Sequence, residues 1–233
     1  MEQHSQTEFE YLANSPAFVE FSASLRRLTG LPMSLSTPGL TETRAPPSGG
    51  HSNPLCKLIR ATPLGESRCE ACDRRHQAKA AKTAKAQLYT CHAGFLDMAV
   101  PVIADGRHAA TISCGQVLPE APCAAAAGRL RRRLAWVQVS KRAFLAAYRG
   151  APYLPRAQLR DVIRLLEIFA GHLCASAGRI RQLEARLERK EVRLAREYIE
   201  RNYANPRLSL GDVAGEVGLS RAHFSLVFHK AAG

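Results

Sequence analysis

Four cysteines in the first half of the chain have a spacing that could bind a metal ion. They are Cys56, Cys69, Cys72 and Cys91. Cys69 and Cys72 form a CxxC pair, whose sulfurs converge on one turn of backbone, and four thiolates suit tetrahedral Zn²⁺ or an iron–sulfur cluster. The spacing predicts such a cofactor, but a single CxxC is only moderately specific, because sites of this kind usually contain two pairs.

Two other interpretations of these thiols stay open on the sequence alone. A thiolate at a helix N-terminus has a lowered pKa, so Cys69 and Cys72, which we expect at the start of a helix, could form a redox switch. Small cysteines also fill hydrophobic cores. We expect that core role for Cys114, Cys123 and Cys174.

The sequence gives little support for catalysis. Cys91 and His92 are adjacent, and adjacent residues on a strand point to opposite faces, so they do not form a nucleophile with its base. We could assemble no other nucleophile and base from the sequence. A thiol or metal enzyme joined to a DNA anchor is therefore a weaker hypothesis than a protein without enzymatic activity.

The composition favours a globular protein that binds a polyanion. The chain has 233 residues, 46% of them hydrophobic, which allows one domain of ordinary size and a small second one. Its net charge of +13 favours nucleic acid first and an acidic membrane surface second. The sequence has no apolar run of membrane-spanning length and no visible secretory signal, so its seven cysteines indicate reduced thiols. We expect a cytoplasmic protein with no membrane partner.

Hydrophobic periodicity predicts an α+β domain before the long C-terminal helices. Residues 1–15 are polar and are predicted to be flexible. The expected elements are helices at 16–31, 55–61 and 67–86, strands at 87–92, 95–103 and 108–118, and a basic helix pair within 129–149. Asp105-Gly106 is a strong hairpin signal between the last two strands. Helices followed by a hairpin predict a compact sensor-like module.

One long helix is predicted between Arg156 and Ala204. Leucine or isoleucine recurs there every seven residues, at Leu159, Leu166, Leu173, Ile180, Leu187 and Leu194. A sustained repeat of seven forms a seam against a partner helix. We expect residues 159–173 to pack on the chain's own sensor domain. Residues 176–194 are predicted to form a connecting coiled coil with a second copy.

The C-terminal segment has the local signals of a helix-turn-helix. Ser209 and Asp212 match a capping box at the start of one helix. Gly218 can adopt the left-handed conformation that ends a helix sharply, and Ser220 caps a second helix at 221–230. Two helices joined by a short turn that contains glycine are the form that docks in a DNA major groove.

These residues resemble the AraC-type DNA-binding unit. The resemblance is carried by the segments 195–203, 208–214, 217–220 and 223–233. The family's unit contains two helix-turn-helices joined by a long helix, and residues 190–233 match only the first half. The resemblance therefore implies an all-α, incomplete DNA-binding domain. One departure is Leu226, which stands where the family commonly has a groove-facing arginine.

The second helix of this segment supplies the candidate DNA contacts. The expected contacts with the groove or the phosphates are Ser209, Ser220, Arg221, Ala222, His223, Ser225, Leu226 and Lys230. Ser209 and Lys230 are the phosphate candidates, the first because it lies at a helix N-terminus. Phe224, Val227 and Phe228 are expected in the core.

A second resemblance covers residues 16–175. The segments 55–60, 69–73, 89–97, 99–102 and 115–118 look like the PocR-type sensory domain. The resemblance implies a PAS-like sensor that detects small hydrocarbon derivatives such as diols, in a family found together with AraC-type units. By position, we expect the ligand contacts to come from Cys91, His92, Asp97, Gly115 and Gln116.

The two resemblances together predict a one-component transcriptional regulator. Its expected partners are promoter DNA, a small-molecule effector, a second copy of the chain and RNA polymerase. Two alternatives remain: a regulator that responds to metal or redox state through its cysteines, and a truncated dimerisation partner with little DNA binding of its own.

Overall fold

The computed structural model describes residues 9–40, 43–44, 53–104 and 106–232. The chain forms two compact units that divide between Ala177 and Gly178, inside one long helix. Within the described residues, no helix is both long and apolar enough to cross a membrane. The two units are treated separately below.

A five-stranded antiparallel sheet lies at the centre of the first unit. Its strands are β1 (Met33–Ser36), β2 (Thr43–Arg44), β3 (Gln87–Thr90), β4 (Leu96–Ala104) and β5 (Arg107–Val117), in the order β2-β1-β5-β4-β3. The predicted hairpin joins β4 to β5, and Gly106 adopts a left-handed φ of 73° at its turn. Asp105, the other residue of that turn signal, lies outside the described residues.

Helices cover both faces of this sheet. They are α1 (residues 9–14), α2 (Pro16–Thr29), α3 (Pro54–Arg60), α4 (Pro63–Thr83), α5 (Ala124–Arg133), α6 (Lys141–Arg149) and the first part of α7 (Arg156–Asn202). The basic stretch forms α5 and α6, as predicted. The observed fold of this unit is therefore α+β.

The predicted flexibility of residues 1–15 is wrong for the part of that segment that the structure describes. Residues 9–14 form a helix, and the side chains of Phe9 and Leu12 are fully buried in the main core. Phe9, Leu12 and Ala13 have the i, i+3, i+4 spacing of one helix face, a signal that the polar composition of the whole segment obscured. Burial of these residues in the main core stabilises the short helix.

The main core lies between the sheet, α2 and the N-terminal part of α7. The heptad residues Leu159, Leu166 and Leu173 are buried there, as predicted, and the rings of Phe21 and Phe169 stack with centroids 4.0 Å apart. A second core forms around α3, α5 and α6. The first part of the heptad repeat therefore packs within its own chain.

Cys174 packs against the main core and Cys114 is buried, as expected, but the expectation for Cys123 is wrong. Cys123 is exposed and caps α5, where its sulfur accepts a hydrogen bond from the backbone N–H of Ala126 at 3.4 Å. A capping position needs a side-chain acceptor rather than burial, and the sequence pattern did not separate the two roles.

The second unit contains the end of α7 and the short helices α8 (Leu210–Glu216) and α9 (Arg221–Ala232). Ser209 and Asp212 form the predicted capping box. Gly218 has a left-handed φ of 72°, and the N–H of Leu219 returns to the carbonyl of Ala214 at 2.9 Å, which ends α8 in a Schellman-type turn. Strong local signals thus fix both ends of α8.

The core of this unit is small. Its buried members are Ala195, Val213, Ala214 and Phe224, and Val227 is also buried on α9. Phe228 packs at the edge, with its ring centroid 5.2 Å from that of Phe224. These are the core positions of α9 that the sequence predicts, and each contributes apolar area that stabilises the helix pair.

Candidate functional site

A cavity of about 380 Å³, the sensor cavity, opens between α3, α4 and the strands β3 to β5. All eight predicted positions of the sensor lie on its wall, with Cys91 shared by both sets. The wall carries the ligand candidates Cys91, His92, Asp97, Gly115 and Gln116, and the metal candidates Cys56, Cys69, Cys72 and Cys91. The structure therefore brings together residues that are up to 60 positions apart.

A bulge in β5 shapes one side of this cavity. Leu96 pairs with Val117 whereas Asp97 pairs with Gly115, so Gln116 is an extra residue in the ladder and has a left-handed φ of 60°. A Cβ on Gly115 would lie 2.5 Å from Oδ1 of Asp97. Only glycine allows this close approach to Asp97, which explains why glycine precedes Gln116 in the bulge.

Gln116 also fastens the bulge to the start of α3. Its side-chain Oε1 accepts a hydrogen bond from the N–H of Asn53 at 2.7 Å, and its carbonyl accepts one from Nδ2 of Asn53 at 2.8 Å. Asn53 in turn caps α3 through Leu55. Gln116 therefore positions the helix that carries Cys56, and its amide oxygen is already occupied.

Asp97 is a half-buried carboxyl group on the wall of the sensor cavity. Burial raises its pKa well above the usual range, and the nearby charge of Asp73 raises it further. The backbone N–H groups of Met98 and Gln116 donate to it and oppose that shift. The net direction favours a protonated carboxyl, which can donate as well as accept a hydrogen bond.

The thiols of the sensor cavity are also held in their neutral form. Burial raises the pKa of Cys69 to about 11 and that of Cys91 to about 11. Burial likewise raises the pKa of Cys56. Cys69 Sγ lies 3.2 Å from Nε2 of His92, whose own pKa is lowered, first by burial and then by the Arg68 charge. The contact therefore joins a thiol to a neutral imidazole.

The prediction that Cys69 and Cys72 lie at a helix N-terminus, which would lower their pKa, is wrong. The helix expected to begin beside Cys69 begins at Pro63, with Thr62 as its N-cap, so Cys69 lies in its second turn. The helix-end effect falls off within the first turn, and burial then dominates the pKa of both Cys69 and Cys72 and raises it. A Thr-Pro capping signal in the sequence marks this helix start.

In the part of the chain that the structure describes, no three His, Cys, Asp or Glu side chains are arranged to hold a metal ion. Metal binding to this set would require the thiols to lose protons that burial retains. The zinc or iron–sulfur cofactor stays a prediction. The cavity as observed presents neutral hydrogen-bonding groups.

One part of the cavity wall was not anticipated. Arg60 donates to Oδ2 of Asp73 at 2.7 Å, and the hydroxyl of Tyr89 lies 3.4 Å from Oδ1 of the same carboxylate. His76 stacks on Tyr89 with ring centroids 3.8 Å apart. Asp73 directly follows the CxxC pair, and Tyr89 precedes Cys91 by two residues. Closeness in sequence to these predicted site residues is the signal that could have placed Asp73 and Tyr89 in the site.

The candidate DNA contacts of the second unit are exposed wherever the structure describes their side chains. Six of these side chains, those of Ser209, Ser220, Arg221, Ala222, His223 and Ser225, are exposed. Leu226 is 57% exposed. The side chain of Lys230 lies outside the described residues. The guanidinium of Arg221 lies over Gly211 at the start of α8, where a Cβ on that glycine would meet it at 2.5 Å.

Residues 12–177 match a family described as the sensory domain found in PocR. The chain belongs to the PocR sensory-domain family. The matched residues contain the whole wall of the sensor cavity, together with the bulge and the CxxC pair. The PocR domain therefore accounts for the first unit, and its name describes that unit as a sensory domain.

One curated relative of the PocR domain is the Regulatory protein PocR of Salmonella typhimurium, which is 36% identical over 64 residues. The alignment covers 28% of this chain and 21% of that protein, so the chain spans about a fifth of the relative it matches. No solved structure matches the chain. The PAS-like description of the PocR domain stays a prediction.

Proposed function

We propose that the chain is a one-component transcriptional regulator that senses a small neutral molecule and binds DNA. The observation that carries the proposal is the cavity with polar side chains on its wall, inside a domain of a sensory family. The name of the partial relative, a regulatory protein, supports the regulatory part. Transcriptional control would be exerted at promoter DNA and, by expectation, through RNA polymerase.

The chemistry of the sensor cavity favours a neutral, hydroxyl-bearing ligand. The full charges of Arg60 and Asp73 are paired with each other. Burial raises the pKa of Asp97 and of Cys91, which favours their neutral forms. A short diol can both donate to and accept from such groups without bringing a buried charge that would need a partner. This is consistent with the small hydrocarbon derivatives that the family resemblance implies.

The proposed DNA reader is the pair α8 and α9, acting as a helix-turn-helix. Its support is the tight turn at Gly218, the buried Phe224 and Val227 that orient α9, and the exposed outer face of α9. A net charge of +13 favours the contact with phosphates. Helix α7 contributes Leu166 to one core and Ala195 to the other, so ligand binding could bias the reader through it.

Arg221→Ala is expected to weaken DNA binding by the full chain. If Arg221 contacts phosphate, the affinity should fall for every DNA sequence, and the number of counterions released on binding should fall by about one. If Arg221 reads a base edge, about 1–3 kcal/mol of discrimination should be lost at one base pair of the site. The measurement is a salt titration of binding to duplexes selected from a random-sequence library, with and without short diols.

Arg142→Ala is the matched control, because Arg142 is an exposed arginine on α6 of the sensory domain. It should leave the binding isotherm and its salt slope unchanged. Equal losses for both variants would mean that bulk charge alone attracts DNA. No detectable DNA binding by the unmodified chain would favour the alternative role of a dimerisation partner.

We also infer that residues 176–194 pair with a second copy of the chain. Leu183 is 58% exposed on this stretch and lies between the apolar heptad positions 180 and 187. The side chain of Leu187, in the same predicted seam, lies outside the described residues. An apolar row on a helix is stabilised when a partner helix covers it.

Leu183→Asp is expected to convert a dimer into a monomer. A charge buried at the seam without a partner costs several kcal/mol, about a thousandfold or more in the dimer dissociation constant. Sedimentation velocity across a concentration series checks this. Gln182→Asp, an exposed neighbour with the same added charge, should remain dimeric. A monomeric unmodified chain at tens of micromolar would reject the seam.

A further inference from the structure

A thiol and an imidazole are in contact on the wall of the sensor cavity. Sγ of Cys69 lies 3.2 Å from Nε2 of His92, and both residues line the cavity and are partly exposed. Cys69 comes from the second turn of α4, and His92 comes from the turn between β3 and β4. A thiol within hydrogen-bond reach of an imidazole is the arrangement of a nucleophile and its general base.

Groups from α5 and from the segment that follows it hold His92 in position. Arg133 donates from Nε and from Nη2 to the carbonyl oxygen of His92, at 3.3 Å and 3.1 Å. The ring centroid of Trp136 lies 6.0 Å from that of His92. The guanidinium carbon of Arg68 lies 4.9 Å from the Trp136 centroid. Further contacts that orient the base are the third feature of an activated nucleophile.

A cation stands about one helical turn from the thiol. Asp73 follows Cys69 by four residues on α4, so the two side chains share a face of this helix. Arg60 donates to Oδ2 of Asp73 at 2.7 Å and lines the same cavity. A guanidinium has five N–H donors, so Arg60 retains donors beyond this bond. Those donors are available to stabilise negative charge that develops on a bound molecule beside Cys69.

We propose that Cys69 is a covalent modification site for small α,β-unsaturated carbonyl compounds. Sγ forms a bond with the β carbon of the compound, and the electron pair of its carbon–carbon double bond moves through the α carbon to the carbonyl oxygen. The thiol proton passes to Nε2 of His92 and then to the α carbon. The product is a neutral thioether, and the addition needs no oxidant or reductant.

The protonation states of the pair suit this addition. The lowered pKa of His92 keeps its imidazole neutral and able to accept a proton. Because the imidazole accepts the thiol proton as the new bond forms, the raised pKa of Cys69 does not prevent the reaction.

The covalent site goes beyond the proposed binding of a diol, although both use the sensor cavity. A saturated diol has no conjugated double bond, so it cannot form the thioether. The covalent site therefore stands whether or not the cavity binds a diol and whether or not the chain binds DNA.

Methyl vinyl ketone, a small conjugated ketone, tests the proposal on the full chain without any diol. Tandem mass spectrometry of peptides measures the rate of adduct formation at each cysteine. Cys69 is expected to react at least about tenfold faster than Cys72, which lies on the same helix and cavity wall and whose pKa burial also raises. His92→Gln removes the base and keeps a polar side chain, so labelling of Cys69 should slow by about a hundredfold.

His108→Gln is the matched control, because His108 is a partly buried histidine on β5 that does not line the cavity. It should leave the labelling of Cys69 unchanged. The proposal is overturned if Cys69 reacts no faster than Cys72 in the unmodified chain, a comparison that decides even if His92→Gln does not fold. Labelling of Cys69 at the unmodified rate in folded His92→Gln, or equal slowing by His108→Gln, would overturn it as well.

Discussion

Replacing Phe224 with alanine is expected to unfold the C-terminal unit while the sensory domain stays folded. Phe224 is 3% exposed and is the largest buried side chain of a small core whose other buried members are Ala195, Val213 and Ala214, with Val227 also buried on α9. Truncating a buried phenylalanine costs about 3–5 kcal/mol, which is comparable to the whole stability of so small a unit. The DNA binding that we propose for this unit should fall to background.

Thermal unfolding followed by circular dichroism measures this effect as the loss of one helical transition with the other retained. Leu226→Ala is the control, because Leu226 lies on the same helix and is 57% exposed. Surface substitutions of this kind usually change the free energy of unfolding by no more than about 0.5 kcal/mol. If Phe224→Ala retained both transitions, or if the two variants were equally destabilised, the proposed core of the DNA reader would be wrong.

Asp97→Asn is expected to remove a pH-dependent loss of stability from the sensory domain. The folded pKa of Asp97 is raised well above its unfolded value of about 3.9, chiefly by burial. The folded state then holds the proton more tightly than the unfolded state. The contribution of the Asp97 carboxyl to the free energy of unfolding is therefore complete below about pH 3.9 and is lost as the pH rises through the folded pKa. Each unit of elevation corresponds to about 1.4 kcal/mol.

The asparagine variant keeps an oxygen that can accept from the N–H groups of Met98 and Gln116 but has no proton to lose. Its free energy of unfolding in urea, measured between pH 5 and pH 8 in steps of about one unit, should therefore decline less than that of the unmodified chain. Part of the decline should remain, because burial also raises the pKa of Asp73. Asp161→Asn, at an exposed position on α7, serves as the control. Identical slopes for the unmodified chain and Asp97→Asn would show that the Asp97 carboxyl is ionised in the folded protein.

Patterns confined to a few neighbouring residues determined much of the local structure. Ser209 with Asp212 placed the start of α8, and Gly218 placed its end, because capping groups act on backbone atoms within four residues. The heptad of leucines predicted both the length of α7 and the burial of its first part. Asp105-Gly106 between two strand-like runs likewise indicated the hairpin of β4 and β5.

The sensory-family motifs indicated which residues would meet, but the tertiary structure decided their chemical state. Cys69 was expected to have a lowered pKa from a helix end, and burial raises it instead. Burial likewise raises the pKa of Asp97. Desolvation depends on every element that excludes water from a group, and no local pattern contains that information.

Other features arose only from contacts between distant segments. Residues 1–15 were predicted to be flexible, yet Phe9 and Leu12 lie in the main core. The contact of Cys69 with His92 carried no local signal, because the second turn of α4 and the turn after β3 meet only in the folded domain. Sequence determines local conformation through short-range sterics and hydrogen bonds, whereas cavities, burial and contacts between distant side chains depend on the packing of elements that are far apart in the chain.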